Sequence, residues 1–224
     1  VNLTSYPCPL PDGSRAAEYA LAFDSGAAQR LLIIPALFDE GHRLRRLCVD
    51  VMRRLTGTGI DSVLPDLPGT NESLVDLQTL ALTDWTAAIR AAASNFDATH
   101  VLAIRGGGLL APQALPGWCY APVKGASQLR TLIRARVLSS REAGREENGE
   151  GLLIEAQEHG IELAGYRLAA AMVQQLQAAQ PNPDLAEIEQ DLLGGSPLWL
   201  RAEPDADMGQ ADGLAAYLTM AMRG

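Results

Sequence analysis

Lysine is almost missing from this chain, Lys124 being the single one among 18 basic residues. The other basic residues are arginines, a bias that reflects base composition more than chemistry. Positive charge is also in deficit overall, with a formal net charge of -9 and an isoelectric point near 4.8. That balance excludes a nucleic-acid surface, which needs a concentrated basic face. Cysteine is scarce too: Cys8, Cys48 and Cys119 are too scattered for a disulfide framework or a paired metal motif. A reducing compartment follows, and cytoplasmic placement is the expectation. The opening VNLTSYPCPLPDG lacks the basic-then-apolar pattern of a signal peptide. No apolar run approaches the ~20 residues of a membrane span. Histidine occurs only at His42, His100 and His159, with no H-x-x-x-H or C-x-x-C spacing. Neither a metal nor a cofactor is therefore expected. Oligomeric state is left open.

With 224 residues and 47% hydrophobic content, the chain buries one substantial core. A single domain over 1–224 is the default. Residues 17–23 alternate Tyr19, Leu21 and Phe23 on one face and predict an edge strand. The run LLIIPAL at 31–37 predicts a parallel strand covered on both faces, ending at Pro35. Leu44, Leu47, Cys48, Val51, Met52 and Leu55 form one helical stripe over 41–56, which Gly57 and Gly59 stop. A short strand at 61–66, a helix over 77–93 and a strand at 100–104 follow. This rhythm defines an α/β fold, a mostly parallel sheet with helices on both faces. Further on, the spacing predicts a strand at 118–123, a helix over 126–138 and an exposed charged loop at 139–151. Beyond these it predicts an extended piece at 161–168, helices over 168–179 and 184–193, a strand at 197–204 and a closing helix over 209–223. An insert or lid spans about 125–180, ahead of a shortened C-terminus.

The segment THVLAIRGGGLLA, residues 99–111, reads as a buried strand turning sharply into a helix. A nucleophile elbow, G-x-S-x-G, carries its serine at such a turn. Here the matching positions are Ala103, Ile104, Arg105, Gly106 and Gly107. Arginine stays protonated and presents only donors, so it cannot attack an acyl carbon. The hydrolytic triad also needs a histidine after the last strand, and none follows 197–204. Asp205 and Asp207 stand where an acid would be, yet read as solvated loop charges. Arg105 beside Gly106, Gly107 and Gly108 at a helix N-terminus suits a small anion, which backbone N–H groups and a guanidinium fork would hold. The competing reading pairs Arg105 internally with Asp39 or Glu40. His42, His100, His159 and Ser73 read as structural, and Arg130 with Arg134 as either a positive cleft or a wet face. The glycine run lacks the lysine and hydroxyl of a P-loop, and its spacing fails as a dinucleotide fingerprint.

Three stretches together resemble the α/β-hydrolase superfamily: IIPALFDE at 33–40, the D-x-P-G-x-x-x-S turn from Asp66 to Ser73, and the elbow at 100–111. Within it, the chain resembles the exosortase A system-associated hydrolase family, second type. PALFDEGHRLRR at 35–46 is similar to that family's acidic-then-basic turn, and A-I-R-G-G to its arginine-bearing elbow G-L-R-L-G. Tyr120, Pro122, Val123, Gly125 and Leu129 match an aromatic-x-P-V-x-x-G segment, and Glu162, Ala164, Gly165 and Tyr166 match an E-x-A-G-Y piece. The resemblance covers roughly residues 30–180. It departs at the alanine and extra glycine of the elbow and in the shortened C-terminus. What it implies is a bacterial protein near exopolysaccharide or protein-sorting machinery, whose hydrolase name rests on superfamily membership.

Two functions of different classes follow. One is a non-catalytic protein that binds a small anionic or acyl ligand, or a partner, at Arg105, Gly106–Gly108, Asp39 and Glu40. The other is an acyl or ester hydrolase with an unconventional active site.

Overall fold

The structure, a computed structural model, describes residues 2–223. Nine strands and seven α-helices follow one another along them. They are β1 (Asn2–Pro9), β2 (Arg15–Phe23), β3 (Gln29–Ile34), α1 (Asp39–Thr56), β4 (Ile60–Pro65), α2 (Leu82–Asn95), β5 (His100–Ile104) and β6 (Gly117–Tyr120). Then come α3 (Gly125–Glu142), α4 (Gly149–His159), β7 (Ile161–Leu163), β8 (Tyr166–Leu168), α5 (Ala170–Ala178), β9 (Ala186–Ile188), α6 (Gln190–Leu193) and α7 (Met208–Arg223). Seven strands build one sheet in the order β1-β2-β4-β3-β5-β6-β9, and β7 with β8 forms a separate hairpin. From β4 to β9 the neighbours are parallel, whereas β1–β2 and β2–β4 are antiparallel.

Side-chain alternation divides the central strands between two cores. Leu32, Ile34, Val63, Val101 and Ala103 face one layer, shared with Trp85 of α2 and with Leu129, Leu152 and Met172 of the inserted helices. Leu31, Ile33, Leu64, Leu102 and Ile104 face the other, shared with Leu47 and Val51 of α1 and Leu214 and Leu218 of α7. A strand covered on both faces has no polar side to show, hence the unbroken LLII run. Register then sets the functional edge: Ile34 lies opposite Ala103, and Ile104 opposite Tyr120. The loops that begin at Pro35, Arg105 and Ala121 are consequently neighbours.

Several elements depart from the sequence reading. β2 is not an edge strand, because β1 pairs along its whole length and takes the edge. Leu77–Thr79 forms a separate 3-10 turn, and α2 starts only at Leu82, where Asp84 accepts from the Ala81 N–H at 2.7 Å. The expected loop at 139–151 is shorter, since α3 runs through Glu142 and α4 starts at Gly149, capped by Asn148. The helix expected over 184–193 is instead β9 followed by the single turn α6. PLWL yields a 3-10 turn, Leu198–Leu200, rather than a strand. Trp199 there turns back onto α1 and the elbow instead of extending the sheet.

A fork holds the α3–α4 junction. Arg136 donates through Nε and Nη2 to the two carboxylate oxygens of Glu147, each at 2.9 Å, and Ser140 donates to the same carboxylate. The Arg136 bonds, then that of Ser140, hold the Glu147 carboxyl at about 2, below its ordinary 4.5. A carboxyl depressed in the folded state stabilises fully above its unfolded value and loses that contribution as pH falls through the folded one. Acid titration of unfolding is therefore expected to show a steeper loss for the parent than for Glu147→Gln between pH 4.5 and about 2. Equal slopes would contradict the fork.

Candidate functional site

Arg105 sits where β5 ends, with φ of 53°, a left-handed conformation that non-glycine residues seldom adopt. That is the geometry of a nucleophile elbow, held here by an arginine. The turn lies hard against β3. A Cβ on Gly107 would come within 2.6 Å of the Pro35 carbonyl oxygen and 2.7 Å of that of Ile34, and one on Gly108 within 2.7 Å of the Cys119 sulfur. All three glycines, Gly106, Gly107 and Gly108, are buried. Their role in the structure is close packing.

The helix expected after the elbow is replaced by a 3-10 turn, Arg105–Leu109. Pro112 and Pro116 explain this, because a proline disfavours helix at the residue before it and lacks the N–H that a helix interior needs. An anion site built on a helix macrodipole loses its basis here.

Each nitrogen of the Arg105 guanidinium donates one hydrogen bond. Nε donates to Oε2 of Glu40 at 3.1 Å and Nη2 to Oε1 at 3.0 Å, while Nη1 donates to the Ala121 carbonyl at 3.0 Å. Its plane lies over the Trp199 ring, 4.1 Å from the centroid. Of the two acidic candidates, Glu40 makes the pair. Asp39 points elsewhere and accepts from the Tyr166 hydroxyl at 3.1 Å. Glu40 Oε2 takes a further bond from Gln128 at 3.1 Å. Both partners are mostly buried, with 14% of the Arg105 and 18% of the Glu40 side chain exposed. Trp199 is braced by the edge of Tyr120 at 5.8 Å and by Arg43, which donates to its carbonyl at 2.9 Å. Sequence reading found Glu40 but missed Gln128, Ala121 and Trp199, because no local pattern links positions so far apart.

A shallow cavity of about 290 Å³ opens beside Arg105, and Glu187, Glu189 and Asp191 line it. An anion approaching there meets like charge. A larger cleft of about 510 Å³ lies one loop away, between the 35–38 loop, α1, the 66–77 loop and the tip of the β7–β8 hairpin. Phe38, Leu67, Leu77 and Trp85 form its apolar part, with Arg45, Arg167 and His42 also lining it. Arg105 is absent from this lining. The cleft had no signal in the sequence, since its walls come from four separate segments.

The remaining candidates do not converge. His42 is exposed on the first turn of α1, His100 stacks on Trp118 at the opposite end of β5, and His159 pairs with Glu158. Desolvation lowers the His100 pKa. Ser73 accepts from the Gly69 N–H and donates to the buried Glu18, both at 2.8 Å, which makes it a loop brace. Asp205 pairs with Arg201, and Asp207 accepts from the Gln210 N–H at 3.1 Å. Arg130 and Arg134 are exposed. Burial pushes the Cys48 and Cys119 thiols up to about 12, far from thiolate chemistry at neutral pH. Among the described residues, no group of three or more His, Cys, Asp or Glu converges as a metal site requires. Nor does any described helix have the length and apolarity to cross a membrane.

A mostly parallel seven-stranded sheet with helices on both faces and a sharp turn after β5 is the α/β-hydrolase fold. Solved structures agree. A thermophilic esterase from Thermogutta terrifontis, with malate bound, superposes at a TM-score of 0.54 with 12% identity, over 100% of this chain and 98% of its own. Alpha/beta hydrolase domain-containing protein 10 from mouse does so at 0.54 and 12%, over 100% and 99%. The bottromycin epimerase BotH, in complex with bottromycin A2, reaches 0.50 and 12%, over 98% of each chain. At such identities the likeness is one of fold. No protein-family model matches the sequence, and no curated protein does.

Removing Arg105 leaves the Glu40 carboxylate mostly buried and without its cation, so Arg105→Met is expected to cost about 3 kcal/mol in denaturant titration. Arg105→Lys recovers little, because an ammonium cannot fork onto a carboxylate. A double-mutant cycle with Glu40→Gln should return a coupling of about 2 kcal/mol. Additive losses would show that the pair holds nothing.

Proposed function

We propose that this chain is a non-hydrolytic protein of α/β-hydrolase fold that binds a small acyl or anionic ligand. One observation carries the reading: the residue at the elbow is a guanidinium held by Glu40, the Ala121 carbonyl and the Trp199 ring. A cation so held supplies neither a nucleophile nor a base. No histidine follows β9 to serve a triad. That the fold hosts chemistry other than ester cleavage is illustrated by the structural neighbour named an epimerase.

We extend the reading to the exosortase A system-associated hydrolase family, second type. Its support is the motif match across 30–180, including the arginine of the elbow. On that reading the protein is bacterial and cytoplasmic and works beside exopolysaccharide or protein-sorting machinery. The chain is taken as one domain, with the α3–α5 segment as its insert.

The test is turnover. Purified protein offered a panel of short- and medium-chain p-nitrophenyl esters and acyl thioesters is expected to give rates equal to buffer. Saturable hydrolysis that follows the protein through purification and disappears in Arg105→Ala would overturn the reading and favour an unconventional hydrolase.

A further inference from the structure

We infer that the ligand site is the 510 Å³ cleft between α1, the 66–77 loop and the β7–β8 tip, and that its ligand is a small carboxylate bearing an apolar chain or ring. This rests on the binding role proposed above and moves the site away from the elbow. The volume falls within the range of small-molecule pockets, which are mostly apolar with a few placed polar groups.

The apolar part is built from Phe38, Leu67, Leu77 and Trp85, all buried. Phe38 is wedged between Trp85, with ring centroids 5.6 Å apart, and Tyr166, at 5.2 Å. The Trp85 indole N–H is already spent on the Pro68 carbonyl at 2.9 Å. Trp85 is fully buried and packed against Phe38, so it backs the apolar wall of the cleft and adds no unpaired donor to it, which suits hydrocarbon.

The polar part sets Arg45 and Arg167 against a single lining carboxylate, Asp76, and the two guanidinium groups are unevenly committed. Arg45 is fixed through Nη1 to Asp66 at 2.7 Å, and Asn71 donates to the same oxygen. Arg167, in β8 opposite Glu162, stands 3.7 Å from Asp76 with 61% of its side chain exposed. An exposed pair of that length holds weakly, so a carboxylate can take its place on the guanidinium fork at little cost. The elbow is a poor alternative. The elbow guanidinium is occupied, and the cavity beside it is lined by three acidic residues.

Indole NMR resolves the question, because the chain has three tryptophans. Trp85 lines the cleft and Trp199 lies under Arg105. Titration with octanoate is expected to shift the Trp85 indole signal saturably and to leave that of Trp199 in place. Acetate, lacking the tail, should bind at least about tenfold more weakly. Val75→Trp, which fills the mouth of the cleft, should abolish the Trp85 shift. Arg167→Glu should weaken octanoate by about tenfold while leaving octanamide unchanged. Both substitutions lie at partly or fully exposed positions, and unchanged far-ultraviolet circular dichroism would establish folding. Octanoate that shifts Trp199 and spares Trp85, acetate that binds equally well, or insensitivity to either variant would overturn the inference. Ester turnover would defeat the non-hydrolytic role whatever octanoate does. A chain that cleaves no ester and shows no Trp85 shift defeats this inference alone.

Discussion

The guanidinium of Arg105 ties four parts of the chain together at the C-terminal edge of the sheet. It reaches Glu40 at the start of α1, the carbonyl of Ala121 after β6 and the ring of Trp199 from the C-terminal segment, while its own backbone is the turn after β5. In a hydrolase of this architecture the same turn presents a nucleophile to open space. Here it is closed over by its own partners. Charge, planarity and stacking are all used at once, so neither lysine nor a neutral residue substitutes for it.

That closure has consequences for its surroundings. With Glu40 drawn back to Arg105 and Gln128, the neighbouring Asp39 serves the hairpin by accepting from Tyr166. Tyr166 in turn packs its ring on Phe38, which sits in the left-handed region with φ of 56° at the start of α1. The cleft that results is walled by the loop next to the elbow rather than by the elbow. In this way the left-handed turn at Arg105 serves as a structural anchor, and the larger concavity lies to one side of it.

Much of the sheet was legible because its strands obey one simple constraint. LLII in β3 and VLAI in β5 are buried on both faces, and nothing but apolar side chains satisfies that. β1 escaped notice because Pro7 and Pro9 interrupt a strand of which only Tyr6 and Cys8 are buried. β9 was read as helix because the PNPD break at 181–184 reads as a helix start, yet three residues there pair instead along the edge of β6. At the site, Arg105 and its acidic partner were within reach of sequence because the loops after adjacent parallel strands must meet. Trp199 was not, since its position follows from the tertiary course of the chain around a short 3-10 turn between α6 and α7. The glycines were legible as a special run, and contact with the Pro35 and Ile34 carbonyls excludes a side chain at Gly107.

The anchoring of Arg105 is most directly tested by hydrogen exchange at arginine Nε–H groups in the free protein. The Nε proton of Arg105, bonded to Glu40 above the Trp199 ring, is predicted to exchange far more slowly than those of the exposed Arg130 and Arg134. An Arg105 proton that exchanges as fast as theirs would contradict the account.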